Sequence, residues 1–390
     1  MGMWKYGGVG MCGIWKLALV AGCGIVGREV PASAMIYGVT MLPTGRVQHL
    51  NNHGDVIIDS VSAGMSHVWS VGGGMRQLPV PSGDIRDILY FADINDAGQV
   101  IVNYSDANAG PKSAVFEADG RIRVLNPTES ASPYVYHITS DGRVFGEVMF
   151  SRMEWPAGSS EGLAYENVRI SDDHVVVLFK ASETGDMAGE AYVVSTASFV
   201  PAVVRDRVEM LLPTNDRSFG RAQSMSENGR WIGGFLEFGF DQDEVPVRWC
   251  DDELEELALP KGAANAGISG INNDGVGVGS AAANGVLQAT IWDAAGVPHL
   301  VADVVQTEQA WYFETAVAIN NSGQVIGNGY AEVSPGVWEY RGFLLTPIPE
   351  PGGLVAVVGL AGLGMRRCRD RRAGEQERRR MRGRGVQSCQ

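Results

Sequence analysis

The sequence predicts an all-β repeat fold: a seven-bladed β-propeller built from units of about 45 residues. Three observations predict it. A short turn phrase returns seven times. Apolar runs of strand length separate turn signals at the spacing of a multi-stranded sheet. The composition, 51 glycines with an apolar fraction of 45%, gives ample core and little pattern for long amphipathic helices.

The phrase is clearest at Ala318-Ile319-Asn320-Asn321-Ser322-Gly323-Gln324-Val325-Ile326-Gly327. It reads as an apolar residue, an Asn-rich turn, a glycine and a β-branched run. The other copies begin at Leu50, Ile94, Ile138, Ile170, Met225 and Ile271, so the starts are 44, 44, 32, 55, 46 and 48 residues apart. Asn, Asp and Gly tolerate the positive φ of hairpin turns, so each phrase is expected to join two antiparallel strands. In the copy at Ile170, His174 stands where the others carry glycine, and a strained or altered turn is expected there. The turns hold too few carboxylates for calcium loops.

Within a unit, a second apolar run bearing an aromatic follows the turn: His67-Val68-Trp69, Ala114-Val115-Phe116, Tyr192-Val193-Val194, Val247-Arg248-Trp249, Thr290-Ile291-Trp292 and Arg341-Gly342-Phe343-Leu344. A leucine comes next in four units, at Leu78, Leu125, Leu257 and Leu300. Three or four short strands per unit cannot bury both faces of their own sheet. Stacking the units around an axis does so, with the aromatics as core between blades. The segment Ile36–Leu42 is expected to close the ring by pairing with the last unit. A β-solenoid is the alternative, and it needs shorter units than these.

The ends differ from the body. Residues 1–34 read as an export signal, with Lys5 and Lys16 ahead of or beside the apolar run 17–27 and a small-x-small site at Ala32-Ser33-Ala34. Cleavage after Ala34 would leave Met35 as the mature start. A lipoprotein anchored at Cys23 is the alternative, from Val20-Ala21-Gly22-Cys23. The repeat domain spans 35–346. After it, 347–372 combine the stiff Pro347-Ile348-Pro349-Glu350-Pro351, the apolar transmembrane run 352–365 and the stop Arg366-Arg367-Cys368-Arg369. At fourteen residues the run is short for a permanent span, and a transient membrane anchor with its positive end inside is expected. A basic tail fills 373–390.

The net charge of −14 hides a stronger bias. Ten Arg against three acids at 366–390 and three bases against Glu29 at 1–34 leave the body, 35–365, at −23. Such a body repels phosphates, so no nucleic acid partner is expected. Of five cysteines only Cys250 lies in the body, so no disulfide can hold it together and no CxxC offers a zinc site.

Two resemblances follow from these residues. Pro349-Glu350-Pro351, the apolar run and Arg366-Arg367 resemble a PEP-CTERM sorting signal. The resemblance implies a Gram-negative producer, passage through the export machinery and handling by an exosortase that cuts near the motif. Twenty-four residues follow Arg366, a longer tail than such signals carry. The units, over roughly 45–345, resemble HAF repeats of extracellular bacterial proteins, with INNSGQVIG and INNDGVGVG as the best matches and His67-Val68-Trp69 nearest the His-Ala-Phe signature. That resemblance implies a propeller-like fold.

Catalytic signatures are absent. The six histidines, His49, His53, His67, His137, His174 and His299, form neither HxH nor HExxH. His49 and His53 flank a turn and offer no helical ligand pair. There is no GxSxG elbow, and Gly275-Val276-Gly277-Val278-Gly279 precedes no helix that would make it a phosphate loop. The acidic runs 241–244 and 251–256 read as solvated loops. No catalytic, cofactor-binding or metal-binding residue is expected, and no cofactor. The expected function is a secreted or surface-sorted, non-catalytic binding or structural component of the cell envelope or exopolysaccharide matrix. Extracellular polysaccharide is the partner considered. The alternative is a surface carbohydrate-active enzyme, a hydrolase or lyase using loop carboxylates.

Overall fold

A computed structural model describes residues 35–59, 66–78, 85–106, 110–126, 133–148, 151–165, 171–239 and 243–349. They form seven antiparallel sheets. Blade 1 holds strands Arg46–Leu50, Val56–Asp59, Ser66–Ser70 and Gly74–Gln77, and each later blade repeats this meander. The first strands of blades 2 to 7 are Ile85–Ile94, Tyr134–Ile138, His174–Ala181, Phe219–Met225, Asn265–Ile271 and Trp311–Ile319. Each packs on the first strand of the next blade, and that of blade 7 packs on that of blade 1. The ring therefore has seven members, and a solenoid is ruled out.

Closure follows the expected route. Tyr37–Met41 pairs antiparallel with Val337–Pro347, in a register that runs from Tyr37 opposite Pro347 to Met41 opposite Phe343. The N-terminal strand is thus the fourth strand of the last blade. The two-residue strand Val305–Gln306 adds a fifth, parallel to it, after the single-turn helix Val301–Val304.

The core lies between blades. Seven apolar clusters fill the seven interfaces, and each draws on two neighbouring sheets. Trp155, Trp249 and Trp292 on third strands are completely buried. Their indole N–H groups donate to the carbonyls of Asn126 (2.9 Å), Pro213 (3.0 Å) and Ala258 (3.0 Å), on segments arriving from the preceding blade. Each indole so packs its body and satisfies its one donor.

Three expectations need correction, in blades 3 to 5. The fourth phrase is not Ile170-Ser171-Asp172-Asp173-His174, whose turn precedes the first strand of that blade. It is Ala181-Ser182-Glu183-Thr184-Gly185-Asp186, which begins 43 residues after Ile138 and 44 before Met225. The irregular spacings disappear, and no strained histidine turn is needed because Gly185 sits at φ +92° in the glycine position. Tyr192 accordingly lies on the second strand, Met187–Val193, while Trp155 in blade 3 is a third-strand aromatic that the pattern did not include. Glu253–Glu256 is the outer strand of blade 5, not a loop. Its acids face solvent on the free edge, where charge discourages pairing with other chains.

The seven turns share one construction. The N–H of the phrase's glycine returns to the carbonyl three residues earlier, from Gly54 to Asn51 (3.2 Å) through Gly323 to Asn320 (3.0 Å). The glycines lie between φ +72° and +92°, the left-handed turn position that a side chain resists.

Candidate functional site

One column of the repeat determines what the ring encloses. In every blade a bulge interrupts pairing of the first and second strands just before the phrase. The breaks fall between Val47 and His49, Phe91 and Asp93, Val135 and His137, Leu178 and Lys180, Ala222 and Ser224, Ile268 and Gly270, and Ala316 and Ala318. A bulge kinks the strand and re-aims the next side chain. The residues after these bulges all line one cavity on the ring axis, of about 330 Å³. Blades 1 to 4 contribute His49, Asp93, His137 and Lys180; blades 5 to 7 contribute only Ser224, Gly270 and Ala318. In this column one half is polar and charged and the other small, while Gln223, Glu227 and Ser269 add polar groups to the wall from blades 5 and 6.

Asp93 is the hub of the polar half. Its carboxylate meets His137 Nδ1 at 2.6 Å, Lys180 Nζ at 3.1 Å and His49 Nδ1 at 3.6 Å. Burial alone would raise its pKa, but Lys180 and the hydrogen bonds from His137 and His49 outweigh that and hold it well below the ordinary carboxylate value. An ionised carboxylate only accepts, so the proton of the short bond resides on His137 Nδ1. That leaves Nε2 of His137 buried and without a hydrogen-bond partner.

The turns form the mouth above this layer. Asn51, Asn95, Asn272 and Asn320 each do two jobs. Their side-chain oxygens accept from backbone N–H groups within the turn, as Asn320 does from Ser322 (3.1 Å) and Gln324 (2.9 Å). Their amide groups donate to the next blade: Asn272 to the carbonyl of Asn320 (3.3 Å), Asn320 to that of Asn51 (2.9 Å), Asn51 to that of Asn95 (3.0 Å) and Asn95 to that of Thr139 (2.8 Å). Thr139, Ser182 and Ser226 hold the same position in blades 3 to 5. Their hydroxyls serve the turn, and the stitching passes to other groups, such as the Glu183 N–H donating to the Glu227 carbonyl at 2.8 Å.

Glu227 reaches across the mouth. Its carboxylate accepts from Asn52 Nδ2 (2.7 Å) and Asn321 Nδ2 (2.6 Å), on blades 1 and 7. Burial pushes its pKa up, and the charges of Asp96 and Glu183 add to the rise. The mouth is therefore rich in acceptors and acidic. Among the described residues no three His, Cys, Asp or Glu side chains come together as metal ligands.

Met35 and Pro349 bound the described body. Ala34, Glu350, Pro351, Arg366 and Arg367, the alternative Cys23 and the apolar run 352–365 lie outside the described residues. Within them, no helix is long and apolar enough to cross a membrane. His53, His67, His174 and His299 do not line the cavity. His49 does, one residue before the phrase, and so do Asp93, His137 and Lys180, which sequence reasoning did not single out. The signal was present in the aligned phrases as one polar column at the end of an apolar strand. With the fourth phrase set at Ile170, that column read Arg169 instead of Lys180.

No family model matches the chain, the sorting-signal and HAF-repeat families included, and no curated protein sequence matches it. Solved structures do. A prolyl endopeptidase aligns at 11% identity and a TM-score of 0.52 over 81% of this chain and 51% of its own. A streptogramin B lyase aligns at 12% identity and a TM-score of 0.48 over 81% of this chain and 100% of its own. The extracellular domain of a one-component system from B. thetaiotaomicron aligns at 9% and 0.44, over 80% of this chain and 40% of its own. At such identities the likeness is one of fold. The chain is an all-β, seven-bladed propeller, an architecture shared by proteins with unrelated activities.

Proposed function

We propose that the protein is an exported, non-catalytic binding component of the cell envelope or exopolysaccharide matrix. The observation that supports this best is the axial cavity, to which all seven blades contribute and in which hydrogen-bonding side chains converge on a space for a small polar ligand. The route is part of the proposal: export with removal of 1–34, transient anchoring through 352–365, and exosortase handling at Pro349–Pro351, with lipidation at Cys23 as the alternative. Extracellular polysaccharide is the proposed partner.

The test is incubation of the purified protein with polysaccharide from its native producer. Retention without new reducing ends is expected; absence of retention overturns the binding role. The intact mass of the protein from the surface fraction checks the route. Loss of both ends is expected, and a full-length cytoplasmic protein overturns it.

A second reading, a surface carbohydrate-active enzyme, is favoured by one specific arrangement. A carboxylate that fixes the proton on one imidazole nitrogen leaves the other poised as a general base, and Asp93 with His137 has that form. New reducing ends in the same incubation would select this reading.

A further inference from the structure

We infer that the axial cavity is a receptor for one uncharged, polyhydroxylated unit the size of a single sugar, anchored by a hydrogen bond between a ligand hydroxyl and Nε2 of His137. The inference rests on the binding role proposed above and adds the ligand class and its contact atom. His137 is only 5% exposed, its Nδ1 is taken by Asp93, and its Nε2 has no partner in the protein. A buried polar atom left open in this way calls for a polar partner. Nδ1 is engaged by Asp93, and a hydroxyl, which can both donate and accept, is a matching partner for Nε2.

Size and shape agree. The cavity, about 330 Å³, sits at the lower end of the range for small-molecule sites, roughly 300–1,000 Å³. On the side away from the polar cluster, Ser224, Gly270 and Ala318 add little bulk to its wall. Gly270 has no room to grow, since a Cβ there would lie 3.0 Å from the Cα of Ala318. Phe179 and Val317 add apolar wall, which suits the C–H face of a sugar ring as the polar half suits its hydroxyls. Charge decides the remaining question. Asp96, Glu183 and Glu227 stand at the mouth, on a body carrying −23. A uronate or phosphate entering there meets like charge, so an uncharged ligand is selected.

The experiment is calorimetric titration of the full-length protein with D-glucose, D-galactose and N-acetyl-D-glucosamine, and with D-glucuronate and glucose 6-phosphate as charged counterparts. At least one neutral sugar is expected to bind. Its charged counterparts should bind at least about tenfold more weakly. Binding should shift the Nε2 resonance of His137 in imidazole nitrogen spectra. H137F should weaken binding about tenfold or more. Ala318→Leu, which adds bulk to the cavity wall away from His137, should do the same, and it keeps the test decisive if H137F does not fold.

Sugar binding that survives Ala318→Leu and leaves the His137 resonance unmoved overturns the site while sparing the binding role. A preference for the charged ligands overturns the ligand class. Retention on polysaccharide with no sugar binding overturns this inference alone. Loss of retention as well overturns both.

Discussion

Asp93 makes three ionic or hydrogen-bonded contacts to side chains and accepts from the Ile138 N–H, all from a buried position. Replacing it with alanine strands Lys180 and the Nδ1 proton of His137. A loss of about 3 kcal/mol is expected from breaking such a buried network, measured by denaturant unfolding at neutral pH. Its pH dependence has a definite sign. The folded pKa lies below the ordinary value of 3.8, so the contribution is complete above that value and disappears as pH falls through the folded one. The gap between the wild-type protein and D93A should therefore narrow only in strong acid. Glu227 has the opposite sign. Its pKa is raised above the ordinary 4.5, so the folded protein holds this proton more tightly than the unfolded chain and loses stability as pH rises through the raised value. Glu227→Gln should melt higher than the wild-type protein at neutral pH and alike at acid pH. A scan of melting temperature against pH checks both.

At the scale of one element, the turn phrase explains both the success and the failure of reading the sequence. Its glycine and asparagines are short-range necessities, a positive φ and an in-turn acceptor, and such necessities show in sequence. The Asn320 series separates its two jobs. Asn320→Ser keeps an acceptor for the turn but cannot reach Asn51, whereas Asn320→Ala loses both functions. Losses of about 1 kcal/mol for the serine variant and roughly twice that for alanine are expected, at about 1 kcal/mol per hydrogen bond, and denaturant midpoints will show whether the order holds. The fourth phrase stayed hidden because Ala181 replaces the branched aliphatic and Ser182 the asparagine. Neither change matters to the turn, since the Ser182 hydroxyl accepts from the Asp186 N–H at 3.1 Å. Nor could sequence show that a bulge precedes every phrase. A bulge is a relation between two strands, and it is what turns His49, Asp93, His137 and Lys180 from scattered polar residues into one cluster.

For the whole molecule, seven interfaces of similar construction hold seven sheets, and only one of them is closed by a strand from the far end of the chain. Deleting 37–41 should leave the edge of Val337–Pro347 unpaired. The melting temperature should fall by roughly 10 °C, and the exposed edge should promote self-association, visible as concentration-dependent elution in size-exclusion chromatography. The ring was legible in sequence because its period is carried by turns. The cavity was not, because it arises from the difference between blades 1–4 and blades 5–7, and a repeat is recognised by what its copies have in common.

That closing strand also sets a timetable. On the ribosome, Met41 is made early and must wait for Phe343, its partner across the sheet. Until then the first blade has an uncovered flank and the last has no fourth strand. A chain with such a distant pairing folds slowly, and the ring cannot close until its final blade has been made.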